Sequence, residues 1–167
     1  MGAGKTTLGK AFAKKSALTF IDLDWYIEER YHKSVKQIFA EYGEAEFREI
    51  EKNMLHEVSD FENVVISTGG GTPCFFDNID YMNSVGETVF LDTSIEILFK
   101  RLSVSKHQRP LLIGKSDSEL LSIIKEGLEK RLPFYTKAKH RFIADELESI
   151  KEINMSVERL ERKLNYI

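Results

Sequence analysis

Met1-Gly2-Ala3-Gly4-Lys5-Thr6-Thr7 is the stretch whose reading decides the fold. It closes on Gly4-Lys5-Thr6, the end of the pattern G-x-x-x-x-G-K-[ST] with which a glycine-rich P-loop cradles phosphate. Glycines let the backbone curl so that successive N–H groups aim at phosphate oxygens. The lysine reaches the β- and γ-phosphates, and the threonine hydroxyl takes Mg²⁺. The positive end of the helix that follows adds to the anion site. The pattern's opening glycine would lie two residues before Met1, together with the strand that leads into such a loop. The motif is therefore partial. A glycine-rich tail before a helix is the competing description, but the run passes straight into an amphipathic segment, as a phosphate loop requires.

Working outward, Thr6 to Ser16 reads as a helix with Leu8, Ala11 and Phe12 on one face. Leu18 to Ile21 is a short strand ending at Asp22-Leu23-Asp24. A polar helix follows, and Ser34 caps another that carries Val35, Ile38, Phe39 and Tyr42 until Gly43 breaks it. A longer helix reaches about Ser59. Val64-Val65-Ile66 is an uninterrupted apolar run of the kind found in buried parallel strands, and Thr68-Gly69-Gly70-Gly71 ends it. A helix near Asp77 to Ser84, a strand at Thr88 to Leu91 and a helix through Leu102 come next. Residues 103–118 lack clear periodicity and suggest a mobile functional loop. Ser118 to Leu132 is a helix stopped by Pro133, Arg141 to Ala144 a strand, and Ile153, Val157, Leu160 and Leu164 mark a closing helix. Strands alternating with helices imply an α/β fold, a parallel β-sheet flanked by helices on both faces. Ligands of such folds bind at the carboxyl ends of the strands, where the phosphate loop, Asp22-Asp24 and Gly69 to Gly71 all fall.

The 167 residues suit one domain. A net charge of −3 argues against a nucleic-acid footprint. A single cysteine, Cys74, fits a reducing compartment, and a cytoplasmic protein is expected. No apolar run approaches the roughly 20 residues of a membrane span, and no signal peptide is legible. His32, His56, His107 and His140 show no metal spacing, and Trp25, Phe39 and Phe47 read first as core.

Asp22 and Asp24, two apart at a strand end, would point the same way in extended geometry. One could hold Mg²⁺ through water, and the other could take a proton from an acceptor hydroxyl. Alone, such a pair is a solvated turn; behind a phosphate loop it is a site. Arg48 lies one turn before Glu51, either as a surface ion pair or as a fork held ready for a substrate carboxylate. Gly69 to Gly71 is either a turn or bare backbone brought against a ligand. Arg109 is either a solvated loop cation or a lid group that folds onto the transferring phosphate. Arg131 is either a dipole partner at a helix end or a ligand contact.

In order, the chain shows G-x-G-K-T-T, F-I-D-L-D, F-R-x-x-E, T-G-G-G, R-P-L-L and R-x-P-x-Y. The ordered set resembles shikimate kinase over nearly the whole chain. The resemblance implies a P-loop kinase of the nucleoside-monophosphate-kinase type, a five-stranded parallel sheet with a mobile lid. It implies transfer of the γ-phosphate of ATP to the 3-hydroxyl of shikimate, on the route to aromatic amino acids. The single domain would span 1–167, with a lid at about 103–118 and a shikimate-binding helical region at about 24–59. ATP would be bound by Gly2, Ala3, Gly4, Lys5, Thr6, Thr7 and Arg109, and Mg²⁺ by Thr6 and Asp22. Shikimate would be bound by Asp24, Arg48, Gly70 and Arg131, with Glu51 orienting Arg48 and Phe39 and Phe47 as pocket walls. Lys5, Asp24 and Arg109 would be catalytic, and Arg101 a looser match to a second lid arginine. ATP and shikimate are the expected partners of a monomer, without nucleic acid or membrane.

The chain departs from the family's pattern in its first strand, which is missing, and in the first glycine of the loop. In the family that strand is central, so both neighbours would lose ladder partners. The natural protein is expected to start upstream of Met1. No adenine-contacting residue is assigned near Ala144 to Glu148. Two alternatives stay open: another small-molecule kinase of the same fold, acting on gluconate or a nucleoside monophosphate, and an inactive nucleotide-binding fragment.

Overall fold

The structure, a computed structural model, describes residues 2–105 and 114–166. Its elements are α1 (Lys5–Lys15), β1 (Thr19–Asp22), α2 (Leu23–Tyr31), α3 (Val35–Ser59), β2 (Val64–Ser67), a 3-10 turn (Thr72–Cys74), α4 (Asn78–Val85), β3 (Val89–Asp92), α5 (Ile95–Ser105), α6 (Asp117–Tyr135), β4 (His140–Ile143) and α7 (Ile150–Leu164). The α/β alternation is as the periodicities predict.

The strands do not form one continuous sheet among the described residues. β1 pairs in parallel with β2, in register from Thr19–Val64 to Asp22–Ser67, and β3 pairs in parallel with β4. A cavity of about 570 Å³ lies between the pairs, lined by β2 on one side and β3 on the other. What bridges it is helix packing. Leu8 and Phe12 of α1 share an apolar cluster with Phe142 of β4 and Val157 and Leu160 of α7, and Val65 and Leu91 pack against it. A second cluster, Leu23, Ile27, Ile38, Phe47, Ile50, Leu55 and Val58, ties α2 and α3 together beneath the site.

Local signals act where they were read, except at Pro133. Ser34 caps α3 with a full capping box through Gln37. Gly43, at φ 80° and ψ 175°, is non-helical and breaks α3 into two helical segments that meet at a kink. Pro133 does not stop α6, which runs on to Tyr135. A proline removes the donor for the carbonyl four residues back. That residue, Glu129, is exposed, so water can serve its carbonyl, while Thr136 N–H closes the last turn on Leu132 O at 2.9 Å. The segment expected to be a lid starts and ends in helix, at 103–105 and 117–118, and residues 106–113 lie outside the described residues.

Candidate active site

At the amino end of α1, Gly4 is the N-cap at φ 88° and Gly2 sits at φ 75°. The loop they shape opens into a cavity of about 490 Å³ that also takes in Lys5, Thr6, Thr7, Asp22, Asp24 and Ser67 to Gly70. Gly2, Ala3, Gly4, Lys5, Thr6 and Thr7, all predicted to bind phosphate, therefore surround one space. Thr6 Oγ1 donates to Asp22 Oδ2 at 3.3 Å. These are hard oxygen donors side by side, the donor set Mg²⁺ takes when water and phosphate complete its shell, so the residues present fit that ion.

The extended geometry expected for Asp22 and Asp24 is not what brings them together. Asp22 is the N-cap of α2 and Asp24 lies in its first turn. Asp22 Oδ1 accepts from the Asp24 N–H at 3.2 Å, a capping bond that satisfies an orphan donor of the helix. The strand thus ends where the helix begins, and both carboxylates still reach the cavity. Burial raises the Asp24 pKa from 3.8 to about 6; the charges of Asp22 and Glu51 push the same way, and Lys5 opposes them.

Next to this space lies a denser cluster. Glu51 is buried at 1% exposure, accepting from Arg48 Nη1 at 2.8 Å and from Thr72 Oγ1 at 2.6 Å. The surface ion pair is therefore the wrong description of Arg48–Glu51. Glu44 takes the other guanidinium nitrogen of Arg48 at 3.1 Å. The rings of Phe75, Phe47 and Phe39 lie 4.1, 5.3 and 5.8 Å from its guanidinium carbon. Phe39 and Phe47 thus pack around the Arg48 guanidinium, whereas Trp25 is 55% exposed, with Lys10 over its ring at 4.5 Å.

The glycine run touches every part. A Cβ on Gly69 would lie 3.2 Å from Glu51 Oε1 and 3.3 Å from Asp24 Oδ1. One on Gly70 would meet Tyr135 Oη at 3.1 Å and Arg131 Nη1 at 3.2 Å, and one on Gly71 would meet the Arg48 guanidinium at 2.9 Å. Tyr135 Oη donates to Gly70 O at 2.6 Å. Arg131 and Arg48 both lie near enough to Cys74 to favour its thiolate, although burial raises that pKa on balance. The two arginines thus both lie against the glycine run.

Thr72, Phe75 and Tyr135 were missed as site residues. Tyr135 had a signal, since four residues on a helix place it on the same face as Arg131. Phase and spacing carry nothing for Phe75, which comes in only because the 3-10 turn folds it over Arg48. Arg109 and His107 lie outside the described residues. Arg101 lines the same cavity as the phosphate loop. It bonds Glu148 Oε1 and the carbonyls of Gly2, Ala144 and Asp145 at 2.8 to 3.3 Å, tying the phosphate loop to the β4–α7 connection.

The family model for shikimate kinase matches residues 1–161. The chain belongs to the shikimate kinase family. A shikimate kinase from Phocaeicola vulgatus is 65% identical over 99% of this chain and 94% of its own length. A crystal structure of shikimate kinase from Bacteroides thetaiotaomicron superposes with a TM-score of 0.96 at 62% identity, covering 99% of this chain and 94% of that one. The Acinetobacter baumannii shikimate kinase solved in complex with shikimate gives 0.81 at 29% identity, covering 99% and 89%. The fold is that of a P-loop kinase, and the activity is ATP-dependent phosphorylation of shikimate. Neither a gluconate or nucleotide kinase nor an inert fragment is favoured beside these likenesses.

Proposed function

We infer that the chain transfers the γ-phosphate of ATP to the 3-hydroxyl of shikimate at the joint between its two clusters. The observation that carries this is Gly69. Its position is within contact of both Asp24, beside the phosphate loop, and Glu51, beneath the arginines. Donor and acceptor ends therefore share a wall, and reacting groups bound in each would meet there.

In this reading the N–H groups of the Gly2–Thr7 loop hold the phosphates, and Lys5 neutralises charge that develops on them. Thr6 and Asp22 would hold Mg²⁺ through its water shell, and the ion would supply charge neutralisation between phosphate oxygens. Arg48 and Arg131 grip the shikimate carboxylate from two sides, and the Gly70 backbone meets the substrate. The Asp24 carboxylate orients the 3-hydroxyl and takes its proton. As that oxygen forms a bond to the γ-phosphorus, the bond from phosphorus to the β–γ bridging oxygen breaks and ADP leaves. A carboxylate with a pKa near 6 is ionised at neutral pH yet a better base than a solvated aspartate. Arg109 is assigned to the phosphates as a lid cation. The clamp also sets specificity, because a neutral sugar offers the two guanidinium groups no anion to bind. A monomer is the expected state, and the cytoplasm is the assigned compartment.

ADP release by the chain with MgATP, measured with and without shikimate, tests the reading. Shikimate-dependent release is the expected result. Tight ATP binding with no shikimate-dependent turnover would refute it.

A further inference from the structure

The two oxygens of the buried Glu51 carboxylate are divided between two donors. Oε2 accepts from Arg48 and Oε1 from Thr72, and neither Glu51 nor Thr72 is open to water, at 1% and 0% exposure. Thr72 is itself fixed: its N–H donates to Gly69 O at 3.2 Å, and its carbonyl accepts from the fully buried Asn78 amide at 2.9 Å. Arg48 Nε, by contrast, is buried with no hydrogen-bond partner among the described residues.

A carboxylate and a guanidinium left to themselves favour a planar two-bond pairing. With Nη1 already on Oε2, Nη2, now held by the exposed Glu44, is the donor such a pairing with Glu51 would recruit, and the Thr72 hydroxyl occupies Oε1, the oxygen it would need. We propose that Thr72 is a positioning residue: its hydroxyl reserves Oε1 of Glu51, so that Glu51 holds Arg48 by one nitrogen and does not turn the guanidinium away from the substrate space. The inference rests on the reading of Arg48 as a clamp on the shikimate carboxylate. Without the hydroxyl, Oε1 becomes a buried acceptor lacking a donor, a state costly enough to drive rotation of the carboxylate onto Arg48.

Valine has the shape of threonine without the hydroxyl, and serine has the hydroxyl without the methyl. Thr72→Val should raise KM for shikimate about tenfold, the scale of one bond to a charged group, and leave kcat and KM for ATP within about twofold. Thr72→Ser should stay near the parent. A packing role predicts the reverse order, so a serine variant worse than the valine variant overturns the proposal. A valine variant with a lower melting midpoint and an unchanged KM for shikimate overturns it too. If Thr72→Val does not fold, Thr72→Ala carries the same expectation. In an Arg48→Ala background Thr72→Val should add nothing to KM, and an additive effect would refute the coupling. Arg48→Ala alone separates the two levels. If it leaves KM for shikimate unchanged, the clamp reading fails; if it raises KM and Thr72→Val does not, only the role of Thr72 fails.

Discussion

At the phosphate loop, Gly4 caps α1 at φ 88°, and a Cβ there would overlap Leu147 Cδ1. At the glycine run, Gly71 lies at φ −87° and ψ −27°, where any residue can sit, and only the Arg48 guanidinium 2.9 Å away excludes a side chain. The first glycine is required by the backbone and the second by a functional group. The same contrast runs through the two ends of the site. At the phosphate end the bonds among Thr6, Asp22 and Asp24 are 3.2 and 3.3 Å long. At the acceptor end the bonds of Glu51 and Tyr135 are 2.6 to 2.8 Å. The acceptor pocket is held in shape by its own side chains, whereas the phosphate end is shaped by backbone. Disturbing the acceptor end should therefore show in KM for shikimate, and the group at the joint should show in kcat.

Asp24 is that group, and its loss should be the largest effect. Asp24→Asn should lower kcat by about 10²–10⁴-fold, the usual contribution of a positioned base, with ATP affinity nearly intact by titration. Near-normal turnover would remove the assigned role. With its pKa raised to about 6, kcat/KM for shikimate should fall about tenfold per pH unit below that value. The stability consequence has the opposite sense from an ordinary salt-bridged aspartate. The folded protein binds this proton more tightly than the unfolded chain, so the contribution of Asp24 is favourable below 3.8 and is lost as pH rises through about 6. Asp24→Asn should thus raise the melting midpoint at pH 8 and leave it unchanged at pH 4.

The arginines come next. Arg131→Ala and Arg48→Ala should each raise KM for shikimate by about 10- to 100-fold, the scale of bonds to a charged group, with a small change in KM for ATP. Arg48→Lys should recover little, because a point charge cannot reproduce a planar fork. An unchanged KM for shikimate in Arg131→Ala would break the clamp.

The two glycines give the sharpest test of the contrast. Gly71→Ala costs nothing in backbone strain but pushes on a guanidinium that Glu51 holds, so KM for shikimate should rise about tenfold while the fold stays intact. Gly4→Ala forces a side chain into the left-handed region at about 1–2 kcal/mol, and into Leu147 as well. It should weaken ATP and lower the melting midpoint together. If both variants affect the same substrate, the division between the two ends is wrong.

How much of this was legible in the sequence follows the same line. Backbone requirements leave short marks, so the Gly4-Lys5-Thr6 loop, the Ser34 cap and the kink at Gly43 could be read from a few neighbours. The parallel strand at Val64–Ile66 was equally plain, although those three residues are half-buried against the cavity beside β2 rather than buried. Requirements met by distant side chains leave none. That Thr72 bonds Glu51, twenty-one residues away, or that Phe75 covers Arg48, depends on how the β2–α4 connection lies over α3. Asp22 and Asp24 show an intermediate case. The pair was recognised, but the expected strand geometry gave way to a helix cap, because Asp22 serves the Asp24 N–H better than a further strand residue would. Pro133 was overread, since a proline one turn from a helix end costs little where the orphaned carbonyl belongs to an exposed residue.

The smallest effect concerns Tyr135. Its hydroxyl donates to Gly70 O, and its ring packs on Phe90 with centroids 5.2 Å apart, so the residue both fixes a peptide plane and fills space. Tyr135→Phe keeps the ring and removes one neutral hydrogen bond, worth about 0.5–1.5 kcal/mol or roughly a 2- to 12-fold change in an equilibrium. Because Gly70 lies against Arg131, the loss should appear in KM for shikimate and leave kcat alone. Burial holds the Tyr135 phenol above its ordinary value of 10, so it stays a neutral donor through pH 9 and should give no alkaline limb of its own. A fall in kcat would instead place the hydroxyl at the reacting end. The glycine run would then no longer divide a pocket that binds the acceptor from a joint that transfers to it.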